Sequence, residues 1–323
     1  TANTGTCDLS VIDLDRLVTN ADGVVSSRSI TAGGQPLLAR PAAMAAVDLA
    51  SPIGVACPAD PIGIHYIAYP DCHAVAAVDA ATGEVVASIR FGADGTATLG
   101  DGALICPRQC GERDPIIDGA RPVALDIVRD DRVGVGTQKL AIALDNRPVA
   151  TVVTLDVGGL PTTVQQIDLE GDIGTIDVAL SKQITMGGVT DGLNDGAGGG
   201  DEAQFAYLVA TDRTVRVVEL LGAGVECDTQ VDPRYLEDER NSNRLICLGV
   251  GQIGTPPRRV GVTGPGIVLP GAGRPVSVAI GSANNKRATG GIVDPAQLAG
   301  HFAYIALSNG FTIIANIDDD NIF

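Results

Sequence analysis

The chain has 323 residues and a formal net charge of −17, with 45% hydrophobic residues, only 3% aromatic residues and no tryptophan. Such an acidic balance argues against a nucleic-acid partner, which is recognised through clustered Lys and Arg. No stretch reaches the ~20 consecutive apolar residues of a membrane-spanning helix. A core this poor in aromatics is built from Val, Ile, Leu and Ala, and 41 glycines with 18 prolines fit many short strands joined by turns.

The start, Thr1-Ala2-Asn3, has neither Met nor an apolar leader and reads as a processed or excised segment. Leu9–Leu14 and Val24–Ile30 read as two outer strands. Arg40-Pro41 then leads into an apolar-rich run, as do Arg121-Pro122 and Arg274-Pro275 further on. Proline is tolerated at the first residue of a strand, where its missing N–H breaks no ladder bond. Each run therefore reads as the innermost strand of a sheet, with Thr175–Leu180 taking that place in the remaining unit. Downstream of each lies a recurring strand: Tyr66-Ile67-Ala68-Tyr69, Ala141-Ile142-Ala143-Leu144, Tyr207-Leu208-Val209-Ala210 and Tyr304-Ile305-Ala306-Leu307. A repeated unit that cannot cover its own apolar face has to stack on its copies.

The second unit is the clearest, with strands expected at Ile64–Tyr69, Ala74–Val78 and Val85–Phe91. Between the last two, Asp79 to Glu84 supplies turn chemistry, and Gly83 is free to take a positive φ. The stretch His73-Ala74-Val75-Ala76-Ala77-Val78-Asp79-Ala80-Ala81-Thr82-Gly83-Glu84-Val85-Val86-Ala87-Ser88-Ile89 resembles the YVTN-type surface β-propeller repeat of exported bacterial proteins. Weaker echoes lie at Leu9–Leu14, Val152–Asp156 and Thr214–Glu219. The resemblance implies an all-β fold, a β-propeller of about five visible blades in one domain over residues 1–323. The blade segments are 7–31, 40–91, 121–169, 175–254 and 274–323. The anchors at 66, 141, 207 and 304 are spaced more widely than ~40–45-residue blades, so loops are expected at Gly92–Asp118, Gln183–Glu202 and Gly222–Gly273. Two strands at one terminus and three at the other exceed one four-stranded blade, which favours part of a larger propeller.

Seven cysteines occur. Proximity groups six as Cys57/Cys72, Cys106/Cys110 and Cys227/Cys247, although six cysteines allow fifteen connectivities. Zinc is the competing use, but Cys106 and Cys110 have no second Cys/His pair nearby. Disulfides point to the periplasm, the outer-membrane surface or the cell exterior. Cys7 is left over, to join a missing segment or another chain. Asp191, Asn194, Asp195 and Asp201 sit in a Gly-rich stretch whose composition suits Ca²⁺, although the spacing fits neither the twelve-residue helix–loop–helix site nor a nonapeptide repeat. His65 alternates with Ile64 and Tyr66 and so belongs to the opposite sheet face, while His73 and His301 flank strands.

No Gly-x-Ser-x-Gly elbow, His-Glu-x-x-His helix or phosphate-binding Gly-Lys-Ser/Thr loop occurs, and no catalytic residue is assigned. Acidic residues fall at outer turns (Asp79, Asp156, Glu219). The preferred expectation is a non-enzymatic exported propeller that acts as a protein-interaction or scaffold module within a larger assembly. Binding is assigned to inserted loops, above all to Arg234, Tyr235 and Arg240 between Cys227 and Cys247, because Tyr and Arg are favoured at interfaces. Two alternatives stand beside it: a lactonase-like or lyase-like propeller enzyme with a divalent metal on its axis, and a structural surface-layer or filament component.

Overall fold

The computed structural model describes residues 8–12, 25–47, 63–104, 106, 119–129, 137–169, 171–182, 184–186, 201–220, 250–252, 267–269, 273–284 and 299–316. These residues are all-β, arranged in several small and mainly antiparallel sheets, with a single-turn 3-10 helix at Pro70–Cys72. None of them forms a helix long and apolar enough to cross a membrane. The chain divides into two compact units, Thr1–Gln166 and Ile167–Phe323.

In the first unit, β1 (Asp8–Ile12) pairs with β2 (Val25–Ser29), and β3 (Thr31–Ala32) with β4 (Gln35–Pro36). The first large sheet is a five-stranded meander: β5 (Ala43–Ala46), β6 (Ile64–Tyr69), β7 (Ala74–Asp79), β8 (Val85–Phe91) and β9 (Ala97–Asp101). The second is a four-stranded meander: β10 (Pro122–Arg129), β11 (Gln138–Leu144), β12 (Val149–Leu155) and β13 (Pro161–Asp168), whose end runs just past the boundary between the units.

Period-two alternation gives the first sheet two apolar faces. Tyr66, Ala68, Val75, Ala77 and Ile89 pack against Leu140, Ile142, Leu144, Val153 and Leu155 of the second sheet. Ile67, Tyr69, Ala74, Ala76 and Val78 are covered instead by Ile30, Ala32, Leu37 and Ala39. Each fully buried Ile or Leu in these layers contributes about 1.5–3 kcal/mol. The turn after β7 closes as its residues dictate. Gly83 has φ +79°, and a Cβ there would lie 2.6 Å from the Ser29 carbonyl oxygen, so only glycine fits.

In the second unit, β14 (Thr175–Leu180) lies beside β17 (Phe205–Ala210) and then β18 (Thr214–Glu219). A separate pair, β15 (Ile184–Met186) with β16 (Asp201–Ala203), falls within the connection between β14 and β17. The outer edge of β18 takes β19 (Val250–Gln252) in parallel and β20 (Ile267–Val268) antiparallel. The fourth large sheet is β21 (Pro275–Asn284), β22 (Ala299–Leu307) and β23 (Thr312–Asn316). Phe205, Tyr207, Val209, Val215 and Val217 of the third sheet pack on Val278, Ala303, Ile305 and Leu307 of the fourth.

The repeat read from the sequence has a structural counterpart in three sheets. The inner strands β10, β14 and β21 each break register in their first three residues, at Pro122/Ala124, Thr175/Asp177 and Pro275/Ser277. A two-way hydrogen-bonded clamp precedes each bulge. Asp145 N–H donates to the Arg121 carbonyl at 3.1 Å while Arg121 N–H donates to Asn146 Oδ1 at 2.8 Å. Thr211 and Gly174 exchange the same two bonds at 2.9 and 3.0 Å, and Ser308 and Arg274 at 2.8 and 3.0 Å. In the first sheet Pro70 follows the repeat strand and has no N–H to give.

Two expectations need correction. The stretches Gly92–Asp118, Gln183–Glu202 and Gly222–Gly273, read as loops, also contribute β9, β15, β16, β19 and β20. The grouping Cys57/Cys72 and Cys106/Cys110 is replaced by a disulfide between Cys72 and Cys106, 34 residues apart. The meander carries the chain back past η1, the Pro70–Cys72 turn, so spatial order overrides order along the chain. Closing a loop of that length stabilises the fold by about 4 kcal/mol in the chain-entropy account.

Candidate functional site

The expected site residues divide sharply. Asp191, Asn194, Asp195, Arg234, Tyr235, Arg240, Cys7, Cys57, Cys110, Cys227 and Cys247 lie outside the described residues. Asp201 is described on β16, where it pairs with Met186. Among the described residues no group of three or more His, Cys, Asp or Glu is placed to hold a metal ion.

The region expected to carry contacts nonetheless has defined flanks. β18 ends at Glu219, and the chain returns at Val250 to pair with Val217 of that same strand. Residues 221–249, which include Arg234, Tyr235 and Arg240, therefore leave from and return to one strand. The earlier insertion is held likewise. Ala120 N–H donates to the Gly92 carbonyl at 3.2 Å, and the disulfide ties Cys106 to Cys72.

His73 organises this second base. It takes φ +52° at the end of η1, its carbonyl accepts from Phe91 N–H at 2.8 Å, and its Nδ1 lies 3.3 Å from the Ala120 carbonyl oxygen. Its ring fills the space where a Cβ on Gly119 would sit, 2.1 Å from the ring carbon. His65 is half-buried opposite Val78, and burial pushes its pKa down, so the neutral ring is favoured.

Three polar arrangements escape a reading of the sequence. Asp177, just after the β14 bulge, accepts from its neighbour Val178 N–H at 3.0 Å and from Val278 N–H of β21 at 2.9 Å, stitching two inner strands together. Arg216 is buried and donates to Asp212 Oδ2 at 2.6 Å and to Thr214 Oγ1 at 3.1 Å. Asp145 lies 3.4 Å from Arg121, yet its Oδ1 is buried without a hydrogen-bond partner. Burial raises its pKa, and Arg121 only partly offsets that. The only advance signal for any of them is a charged residue inside an apolar run.

Asp79 and Asp156 do act as turn residues, as their positions imply. Asp79 Oδ1 accepts from Ala81 N–H at 2.8 Å, and Asp156 Oδ1 accepts from Gly158 and Leu160 N–H, each at 2.8 Å. Asp79, Asp156 and Asp177 thus accept from backbone N–H groups, and Asp177 ties two inner strands together. A scan against protein-family models gives no match for this chain, and no curated protein matches it.

Proposed function

We propose that this protein is an exported or surface-exposed β-propeller that works as a protein-interaction module through segments displayed from its sheets. The observation that carries this reading is the return of the chain to β18, which fixes both ends of the segment holding Arg234, Tyr235 and Arg240. Binding residues are commonly placed on loops supported by a rigid scaffold. A Tyr flanked by Arg residues is the composition that protein interfaces favour. The Cys72–Cys106 disulfide supports an oxidising compartment. The resemblance of His73–Ile89 to the YVTN-type repeat, the clamped inner strands and the face-to-face sheets support the propeller.

The test is site-specific photo-crosslinking from position 235 in intact producing cells, followed by fractionation. A discrete adduct in the envelope or extracellular fraction, lost in Arg234→Ala/Arg240→Ala, is expected. A reduced protein found with the cytoplasm, or an adduct pattern indifferent to both arginines, overturns the reading.

A further inference from the structure

Tyr207 repeats the place of Tyr66 but not its bond. Each tyrosine sits at the same position of its repeat strand, β17 or β6. Tyr66 packs with Leu140, Ile142 and Leu144 of β11, and Tyr207 with Ala303, Ile305 and Leu307 of β22. The strands are entered alike too. Val47 N–H donates to the Ile64 carbonyl at 3.0 Å, and Ser181 N–H to the Phe205 carbonyl at 2.8 Å. Yet the Tyr66 hydroxyl donates to the Gly159 carbonyl at 2.7 Å, whereas the Tyr207 hydroxyl is buried without a hydrogen-bond partner. Burial pushes the Tyr207 phenol up, so it is a protonated donor, and a donor left unpaired in a core is destabilising.

The residues after β23 repeat, in type, the turn that Tyr66 grips. Ala141 pairs with Val152 in the second sheet, and Tyr304 with Ile314 in the fourth. Counted on from these pairs, Leu155, Asp156, Gly159 and Leu160 correspond to Ile317, Asp318, Asn321 and Ile322. Asp156 Oδ1 closes the first turn by accepting from Gly158 and Leu160 N–H, and Gly159 takes φ +83°. Asn is among the few residues besides Gly that readily take a positive φ. A Cβ on Gly159 would lie 2.8 Å from the Val47 methyls. The strand registers put Ser181, which has no methyl, in the place of Val47 and so leave room for the Cβ of an Asn.

We infer that residues 317–322, which lie outside the described residues, turn back as residues 155–160 do and receive the Tyr207 hydroxyl on the Asn321 carbonyl. The segment then acts as a strap that ties the fourth sheet to the third. The strap goes beyond the interaction-segment reading, because residues 221–249 take no part in it.

The test is a double-mutant cycle in the full chain, read as melting midpoints, between Tyr207→Phe and Asp318→Ala, with Asn321→Val and Asn321→Gly measured beside it. Tyr207→Phe is expected to lower the midpoint by about 2–4 °C in the unsubstituted chain. It should leave the midpoint unchanged or raised where Asp318→Ala or Asn321→Val has already undone the turn. Asn321→Gly should melt no lower than the unsubstituted chain, since glycine keeps both the carbonyl and the positive φ. A Tyr207→Phe that is neutral or stabilising in the unsubstituted chain overturns the inference. So does a loss of the same size in the Asp318→Ala and Asn321→Val backgrounds, which would assign the hydroxyl to another acceptor such as a buried water.

Discussion

The Tyr66 hydroxyl donates to the Gly159 carbonyl at 2.7 Å across 93 positions of sequence, tying β6 of the first sheet to the turn between β12 and β13 of the second. Burial, and after it the nearby Asp156 carboxylate, push the Tyr66 phenol far above its ordinary pKa. The hydroxyl is therefore held in its protonated, donating form. Tyr66→Phe removes the donor and leaves the ring, so a loss of about 1–2 kcal/mol is expected. Gly159→Ala should cost more, because φ is +83° and a Cβ would lie 2.8 Å from the Val47 methyls. Urea titration of both variants checks the order.

The Asp212–Arg216 pair sets an acid limit on the second unit. Burial alone would raise the Asp212 carboxyl, but bonds from Thr214 and Arg216 outweigh it and hold the pKa below its ordinary value. A carboxylate lowered in the folded state contributes stability above the unfolded pKa and loses it as pH falls through the folded one. Asp212→Asn should therefore flatten the acid arm of the stability curve. Asp212→Ala should cost about 2–3 kcal/mol at neutral pH, since the Arg216 side chain is only 5% exposed. Thermal melts at stepped pH read both effects.

Reduction should expose Cys72 and Cys106 together. Non-reducing peptide mapping is expected to recover one linked pair holding these two residues. Cys72→Ser should lower stability by about 4 kcal/mol, read from the urea midpoint under non-reducing conditions. A Cys57–Cys72 peptide would refute the assignment.

Each clamp can be opened singly. Ser308→Ala, Thr211→Val and Asn146→Ala each remove one acceptor for a backbone N–H, at about 1 kcal/mol apiece. Asn146→Ala should be the worst, because Asn146 Nδ2 also donates to the Gly119 carbonyl at 3.0 Å. Amide exchange should accelerate at Arg121, Gly174 or Arg274 in the matching variant and stay unchanged at the other two.

Inner and repeat strands were legible because they are short, largely apolar runs bounded by turn residues and their Arg-Pro or Tyr/Ala landmarks recur. Ile64–Tyr69 and Val85–Phe91 fall where those runs and turns place them. β9 was not legible, since Ala97-Thr98-Leu99-Gly100-Asp101 has no apolar period and owes its strand to pairing with β8. The cysteine pairing failed for a related reason, because nearness along the chain says little once a meander turns back on itself. Asp177 lies inside the Thr175–Leu180 run, where nothing in the sequence marks a role for it. Its role depends on the bulge beside it and on a partner strand a hundred residues away, and neither leaves a local mark.

The stretch from Ile30 to Ala39 has a practical consequence. It shields Ile67, Tyr69, Ala76 and Val78, and Thr31 N–H is anchored to the Gly83 carbonyl at 2.9 Å. Anyone trimming the protein to its regular repeats would discard these residues as an irregular leader. The shortened product would carry a bare greasy wall along its first sheet and precipitate, so an expression boundary drawn at residue 41 is one to avoid.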